Sequence, residues 1–312
     1  MARYSIGLDL GGTNFRAAAV DPEGSVLDRV SAATNSAGGR EAILSSIVSA
    51  IETLRRGRPQ DELAGIGVAL AGFIEMEKGL VLSSPNIPAF ENFAARDEIG
   101  ARLGSPVILE NDANAAALGE KWMGAGRGVD DLVLLTLGTG IGGGIVIGGQ
   151  VLHGSQGMAA EVGHITVNPT GIPCACGNAG CLEKHASATA IATMARHMAL
   201  GDDLTSEDVH RLAVAGNPLA VRVFESMGSA LGTGLAALVQ IFNFPLYLLS
   251  GGVTAAWDMF APAMLREIQQ RSFTFRAGRT RVEKAALGSE AGLYGAARLA
   301  FQEDLTTSKS MN

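Results

Sequence analysis

The chain has 312 residues, 47% hydrophobic and 18% charged, with a formal charge of −7. That length accommodates two domains with sizeable cores, and the composition is that of a soluble globular protein. The acidic balance argues against nucleic acid as a partner and leaves a small-molecule pocket as the default expectation.

The apolar run "YSIGLDL" ends beside Asp9, then "GGTN" turns the chain into "FRAAAV" and "DPEG" turns it again, which predicts strand, tight turn, strand, turn. The start carries no apolar segment of secretory length. A helix is predicted over residues 40–56, with Ile43, Ile47, Ile51 and Leu54 at helical spacing. "AGIGVAL" and "PVILEN" read as buried strands separated by the helical "NFAARDEIGARLG", and strands alternating with helices give an α/β fold. "ENDANAAALGEKWMG" reads as a strand end running into a helix. The pattern then restarts in "DDLVLLTLGTGIGGGIVIGGQVLHG", again strand, glycine turn, strand.

Setting Leu8-Asp9-Leu10-Gly11 against Leu135-Thr136-Leu137-Gly138 aligns the two turns and brings Val20 opposite Ile147, so the sequence predicts two related domains. The first copy has Asp9 where the second has Thr136. The C-terminal half is mostly helical. Its most apolar run, "ALGTGLAALVQIFNFPLYLLSGG", is interrupted by glycines and Pro245 and predicts a buried helix and a core strand, not a membrane span. Helices are expected from about Trp257 and from Ser289, with a polar, frayed tail over "EDLTTSKSMN".

"GTGIGG" matches the dinucleotide pattern G-x-G-x-x-G but runs into a strand where that fingerprint opens a helix, so a nicotinamide site is rejected. A hairpin of glycines can still bind phosphate through consecutive backbone N–H groups. Two such turns, Gly11-Gly12-Thr13 and Gly138-Thr139-Gly140, are therefore candidate ATP phosphate sites. Asp9 is the candidate for Mg²⁺, through water, since magnesium keeps much of its hydration.

All three cysteines fall in "IPCACGNAGCLEKHA", among turn-forming glycines. An odd count in one loop fits disulfides badly, whereas three thiolates plus one nitrogen fit a closed zinc site. Cys174, Cys176, Cys181 and His164 are the expected structural Zn²⁺ ligands, with His153 and His185 as competing fourth ligands. Clustered reduced thiols suit the cytoplasm.

Together "IGLDLGGTNFRAAAVD", "LTLGTGIGGGIVIGG", "AAEVGH" and "CACGNAGCLE" resemble the ROK family of bacterial sugar kinases and sugar-responsive repressors, in order from Ile6 to about Gly295. The resemblance implies the actin-like ATPase fold, two RNase H-like domains around a nucleotide and sugar cleft, and a homodimer. The domains are expected as 1–111 plus about 293–312, and 112–292 with the zinc loop. The implied reaction is ATP-dependent phosphorylation of a hexose at its 6-hydroxyl, with glucose the expected substrate and N-acetylglucosamine or N-acetylmannosamine the rivals.

Asp112 matches the general base, although a residue opening a helix could equally be its N-cap. Asn111, Glu161, His164 and Glu183 match the groups binding the other sugar hydroxyls, and Asn86 matches a further contact. His164 matches a double role, one ring nitrogen on zinc and the other facing sugar. Gly251 and Gly252 of "LSGGV" match the adenosine-side loop. A sugar-sensing regulator without catalysis is the reading from another class; such relatives carry a helix-turn-helix ahead of the first glycine turn, and none is read here. Two departures stand out. "GVALAGFIE" replaces a proline-rich loop around Gly72, and Ala160 stands where "AGE" is common, a methyl expected to matter little for function.

Overall fold

Two runs of short apolar segments build two five-stranded sheets. A computed structural model of the chain describes residues 1–309. The first run gives strands β1 (Arg3–Leu10), β2 (Asn14–Val20) and β3 (Val26–Ala33), then helix α1 (Gly39–Arg56) and β4 (Glu62–Leu70). A small hairpin of β5 (Phe73–Glu75) and β6 (Leu80–Ser83) follows, then α2 (Ala95–Leu103), β7 (Val107–Asn111) and α3 (Asp112–Met123). The second run opens with β8 (Leu132–Leu137), β9 (Ile141–Ile147) and β10 (Gln150–Val151). It continues through α4 (Glu183–Ala186), α5 (Ala188–His197), α6 (Ser206–Val214), α7 (Pro218–Phe242) and β11 (Leu246–Ser250). The chain closes with α8 (Trp257–Arg271), α9 (Phe273–Ala277), β12 (Arg281–Lys284) and α10 (Ala291–Lys309).

The strand orders are β3-β2-β1-β4-β7 and β10-β9-β8-β11-β12, the same topology twice. The predicted repeat is thus visible strand for strand, with the two glycine turns joining β1 to β2 and β8 to β9. In each copy the later strands run parallel: β4 beside β1 and β7 beside β4, then β11 beside β8 and β12 beside β11. The helix predicted over 40–56 is α1.

The chain divides into two compact units, one of residues 1–130, 144–159 and 286 onward, the other of residues 131–143 and 160–285. The first unit extends past residue 111, the limit expected from the sequence, because α3 packs backbone to backbone on α10. A Cβ at Gly119 would strike the Ala291 carbonyl, and one at Gly295 the Ala115 carbonyl. Fully buried Glu120 adds a tie, accepting N–H bonds from Ala125 at 2.8 Å, Ala286 at 3.0 Å and Leu287 at 2.6 Å. Helix α10 runs further into the expected frayed tail, to Lys309, and residues 310–312 lie outside the described residues.

In β1 the two faces do different work, because successive side chains alternate. Tyr4, Ile6, Leu8 and Leu10 are buried in the core with Ile43, Ile47, Ile51 and Leu54 of α1. Burying each aliphatic side chain contributes about 1.5–3 kcal/mol. On the other face Gly7 lies opposite Gly67 in the β1–β4 register, and a Cβ on either would run into the α10 backbone at Leu293 or Ala296. That close approach carries the start of α10 to Asp9: a Cβ at Gly292 would lie 3.1 Å from the Asp9 carboxyl carbon.

In the second unit β8 and β11 are buried almost throughout and pair in register from Leu246↔Leu132 to Ser250↔Thr136. Helix α7 starts as its sequence dictates, with Asn217 capping the N–H groups of Leu219 and Ala220 and Pro218 in the first turn. It ends at Asn243 in the left-handed conformation. Gly228 and Gly232 let it touch the α8 carbonyls of Phe260 and Met264. Among the described residues no helix is long and apolar enough to cross a membrane.

Candidate active site

The first glycine turn is held by its carbonyls. Thr34 Oγ1 donates to Gly11 O at 2.6 Å, Ser36 Oγ to Gly12 O at 3.0 Å, and Thr34 N to Thr13 O at 2.8 Å. Gly11 N closes the turn on Asn14 O at 3.1 Å. Asn86 reaches this turn through its backbone: a Cβ on Gly12 would lie 2.6 Å from Asn86 O. Asp9, at the end of β1, stands opposite Arg16 of β2 in the strand register. Burial and the charge of Asp112 push the Asp9 carboxyl up to about 6, against the pull of Arg16. Arg16 is itself held, donating to Ser289 O at 2.6 Å.

Asp112 is the first residue of α3, and the N-cap is Asn111, which corrects the capping alternative for Asp112. Asn111 Oδ1 accepts from Ala113 N at 2.9 Å and Asn114 N at 3.2 Å, while its Nδ2 donates to Gly72 O at 3.1 Å. Asn111 therefore fixes the helix start and the Gly72 loop to one another, which gives Gly72 a backbone role. The Asp112 carboxylate accepts from Ala113 N at 3.0 Å. Burial raises its pKa above the usual carboxylate value, and the Ala113 N–H and Asn111 oppose that rise.

Two residues that sequence reasoning did not assign to this region support it. Glu110 is fully buried; its Oε1 accepts from Asn111 N at 2.9 Å and Asn114 Nδ2 at 3.1 Å, and its Oε2 lies 2.7 Å from His153 Nε2. The hydrogen bond to Glu110 raises the His153 pKa, outweighing its burial. His153 is thereby removed from the competition for the cysteines. A glutamate in an otherwise apolar strand is the signal in the sequence, but its partner lies 43 residues away and no spacing rule connects them.

In the second unit the turn after β8 is also tied down. Ala188 N donates to Gly138 O and Thr189 Oγ1 to Thr139 O, both at 2.8 Å, and Gly142 N donates to Thr136 Oγ1 at 3.2 Å. Glu183, the first residue of α4, accepts from Ile141 N at 3.0 Å, and a Cβ on Gly140 would strike its carboxylate. Gly251, at φ +91°, lies against the Leu137 backbone, so the "LSGG" loop meets the same turn, while a Cβ on Gly252 would touch nothing. Gly138, Thr139, Gly140, Glu183 and Gly251 thus share one place.

His164, Cys174, Cys176 and Cys181 come together, their ligand atoms all within 4.8 Å of one another. Cys174 Sγ lies 3.7 Å from His164 Nδ1, and Cys176 Sγ 3.6 Å from Cys181 Sγ. A tetrahedral zinc with ligand bonds of about 2.0–2.3 Å has edges of roughly 3.3–3.8 Å, which the Cys174–His164 and Cys176–Cys181 separations match, and the donor set is that of a closed zinc site. Burial, with the neighbouring thiols, pushes Cys181 up to about 12, a cost that a bound dication reverses by favouring thiolate. His185 is elsewhere, its Nε2 buried against Gly171 without a hydrogen-bond partner among the described residues.

The loop is stitched by isolated bridges Thr166↔Cys181 and Pro173↔Ala179 and by Asn178 Nδ2 donating to Thr166 Oγ1 at 2.8 Å. Glu161 is exposed and immediately precedes the 3-10 turn Val162–His164, accepting from His164 N at 3.0 Å through its carbonyl. Ala160 before it has φ +69°, the left-handed region that favours glycine.

The family model described as ROK family matches residues 5–303. A glucokinase of Halalkalibacterium halodurans is 37% identical, over 98% of this chain and 98% of its own length. Among solved structures, the ROK hexokinase of Thermus thermophilus matches with a TM-score of 0.87 at 36% identity, covering 96% of this chain and 98% of that one. A ROK family glucokinase of Streptomyces griseus, in complex with glucose and AMPPNP, matches at 0.77 and 35% identity, covering 96% and 99%.

Proposed function

The chain belongs to the ROK family, with the actin-like ATPase fold of its sugar kinases, and from that premise we propose that it is a glucokinase, transferring the γ-phosphoryl group of ATP to the 6-hydroxyl of glucose. The observation that carries the reading is the start of α3. Asp112 is set there by the Asn111 cap and by a buried Glu110 beneath it, and its charge is felt at Asp9 beside the first glycine turn.

Phosphoryl transfer asks the protein for positioning and charge stabilisation more than for covalent chemistry. In the proposed mechanism the Asp112 carboxylate accepts the proton of the 6-hydroxyl as the oxygen attacks phosphorus. Its raised pKa makes it a stronger base than an ordinary carboxylate. Asn86, Asn111, Glu161, His164 and Glu183 take the sugar hydroxyls. For Glu183 this means exchanging or sharing its bond from Ile141 N.

The turns Gly11-Gly12-Thr13 and Gly138-Thr139-Gly140 take phosphates, and Gly251-Gly252 border the adenosine side. Magnesium, when bound with the nucleotide, neutralises phosphate charge, and Asp9 is the residue that would hold it. Zinc on His164, Cys174, Cys176 and Cys181 would fix the loop that carries Glu183. A homodimer in the cytoplasm belongs to the same reading.

Asp112→Asn tests the assignment. The variant keeps the Asn111 cap, so it is expected to fold normally and to lose about 10²–10⁴-fold in kcat. A folded variant with near-normal turnover would remove Asp112 from the role of base.

A further inference from the structure

A cavity of about 430 Å³ opens in the first unit at the far end of α3 from Asp112. Ten residues of helix separate Asp112 from Trp122, about 15 Å along the axis. Among the described residues its walls carry three cations, Lys121, Arg127 and Arg298, and one carboxylate, Asp130. Lys121 Nζ meets Asp130 Oδ1 at 2.9 Å, so the one carboxylate these walls carry among the described residues is already paired.

Among the described residues no carboxylate pairs with Arg127 or Arg298. Arg298 is partly buried, its guanidinium carbon 5.4 Å from the centre of the Trp122 ring, and burial lowers its pKa. A half-buried cation without a counter-charge is unfavourable, and a planar guanidinium is suited to bidentate binding of phosphate oxygens. Cations gathered around one cavity also run against a chain whose net charge is −7. The volume lies in the range of small-molecule sites.

We propose that this cavity is a second ligand site, for a small phosphate-bearing anion, held by Arg127, Arg298 and Lys121 beside the face of Trp122. It is separate from the turns and side chains assigned to catalysis, and its occupancy does not depend on the kinase reading.

The chain has two tryptophans, so Trp257→Phe leaves Trp122 as the sole reporter. Its fluorescence would be followed while inorganic phosphate, a hexose 6-phosphate or chloride of equal ionic strength is added. The proposal expects a saturable change with half-saturation below about 1 mM for at least one phosphate species, and none with chloride. Equal response to both phosphate species would mean that phosphate alone is recognised; tighter binding of the hexose 6-phosphate would mean that the sugar is recognised too. Arg127→Gln, at an exposed position that tolerates substitution, should weaken binding about tenfold, and Arg298→Met should abolish it. A response that does not saturate, that chloride reproduces, or that is unchanged in folded Arg127→Gln would overturn the proposal.

Discussion

Asp9 and Asp112 repel one another across the first unit, and that repulsion has a signature in stability. Below the ordinary value of 3.8 Asp9 is neutral in both folded and unfolded chains, and the stability of its neutral form is fully present. That contribution is lost as pH rises through about 6 and the buried carboxyl must ionise beside Asp112. In magnesium-free buffer Asp9→Asn should therefore match the parent chain in acid and exceed it in stability at neutral pH, as urea unfolding would record. Equal stability at both pH values would show that Asp9 carries no such cost. The sequence placed Asp9 at a strand end beside a turn, but its nearness to Asp112 follows from β1, β4 and β7 lying side by side, which no local pattern contains.

Ala160 is a second residue-scale case. A side chain in the left-handed region costs about 1–2 kcal/mol, partly offset by the extra freedom glycine has when unfolded. Ala160→Gly is expected to stabilise the chain by about 0.5–1 kcal/mol in urea unfolding, whereas a loss of stability would mean that the methyl packs usefully. The sequence shows an alanine where glycine is common; only the φ of +69° shows what that substitution does to the backbone.

At the scale of elements, the cysteine loop was the most legible feature of the chain. Three thiols in a glycine-rich turn, with His164 upstream as the expected fourth ligand, predict a site of their own, and His164 lies at hydrogen-bonding range of Cys174. Of the two competing histidines, His153 is drawn away by buried Glu110.

The loop has isolated bridges in place of ladders, so its order should depend on the metal. Structural zinc can contribute about 10–16 kcal/mol to folding its own ligands. A chelated, zinc-free sample is expected to raise the sugar KM, through Glu183 and His164, more than the ATP KM. Full activity in a sample shown to be free of zinc would refute a role for the metal. Glu110 and Glu120 mark the limit of reading elements from sequence: both look like ordinary acids in apolar surroundings, and both prove to be buried acceptors that join distant segments.

For the molecule as a whole, the repeat from β1–β2 to β8–β9 was readable from two glycine turns and the spacing of apolar residues around them. The shared strand order confirms it and puts Asp9 and Thr136 at equivalent strand ends, where Thr136 uses its hydroxyl to hold Gly142 N. Where each unit ends was less readable, because glycine-mediated contact between α3 and α10 joins residues far apart in the chain.

Whether this chain phosphorylates glucose is decided by a coupled ADP-release assay. Glucose, N-acetylglucosamine, N-acetylmannosamine, mannose and fructose would be ranked by kcat/KM with Mg-ATP. Sites that hydrogen-bond sugar hydroxyls discriminate strongly, so glucose is expected to lead every other sugar by about tenfold or more. An N-acetylated sugar at the top would contradict the substrate, and no turnover with any of them in folded, zinc-loaded protein would contradict the kinase.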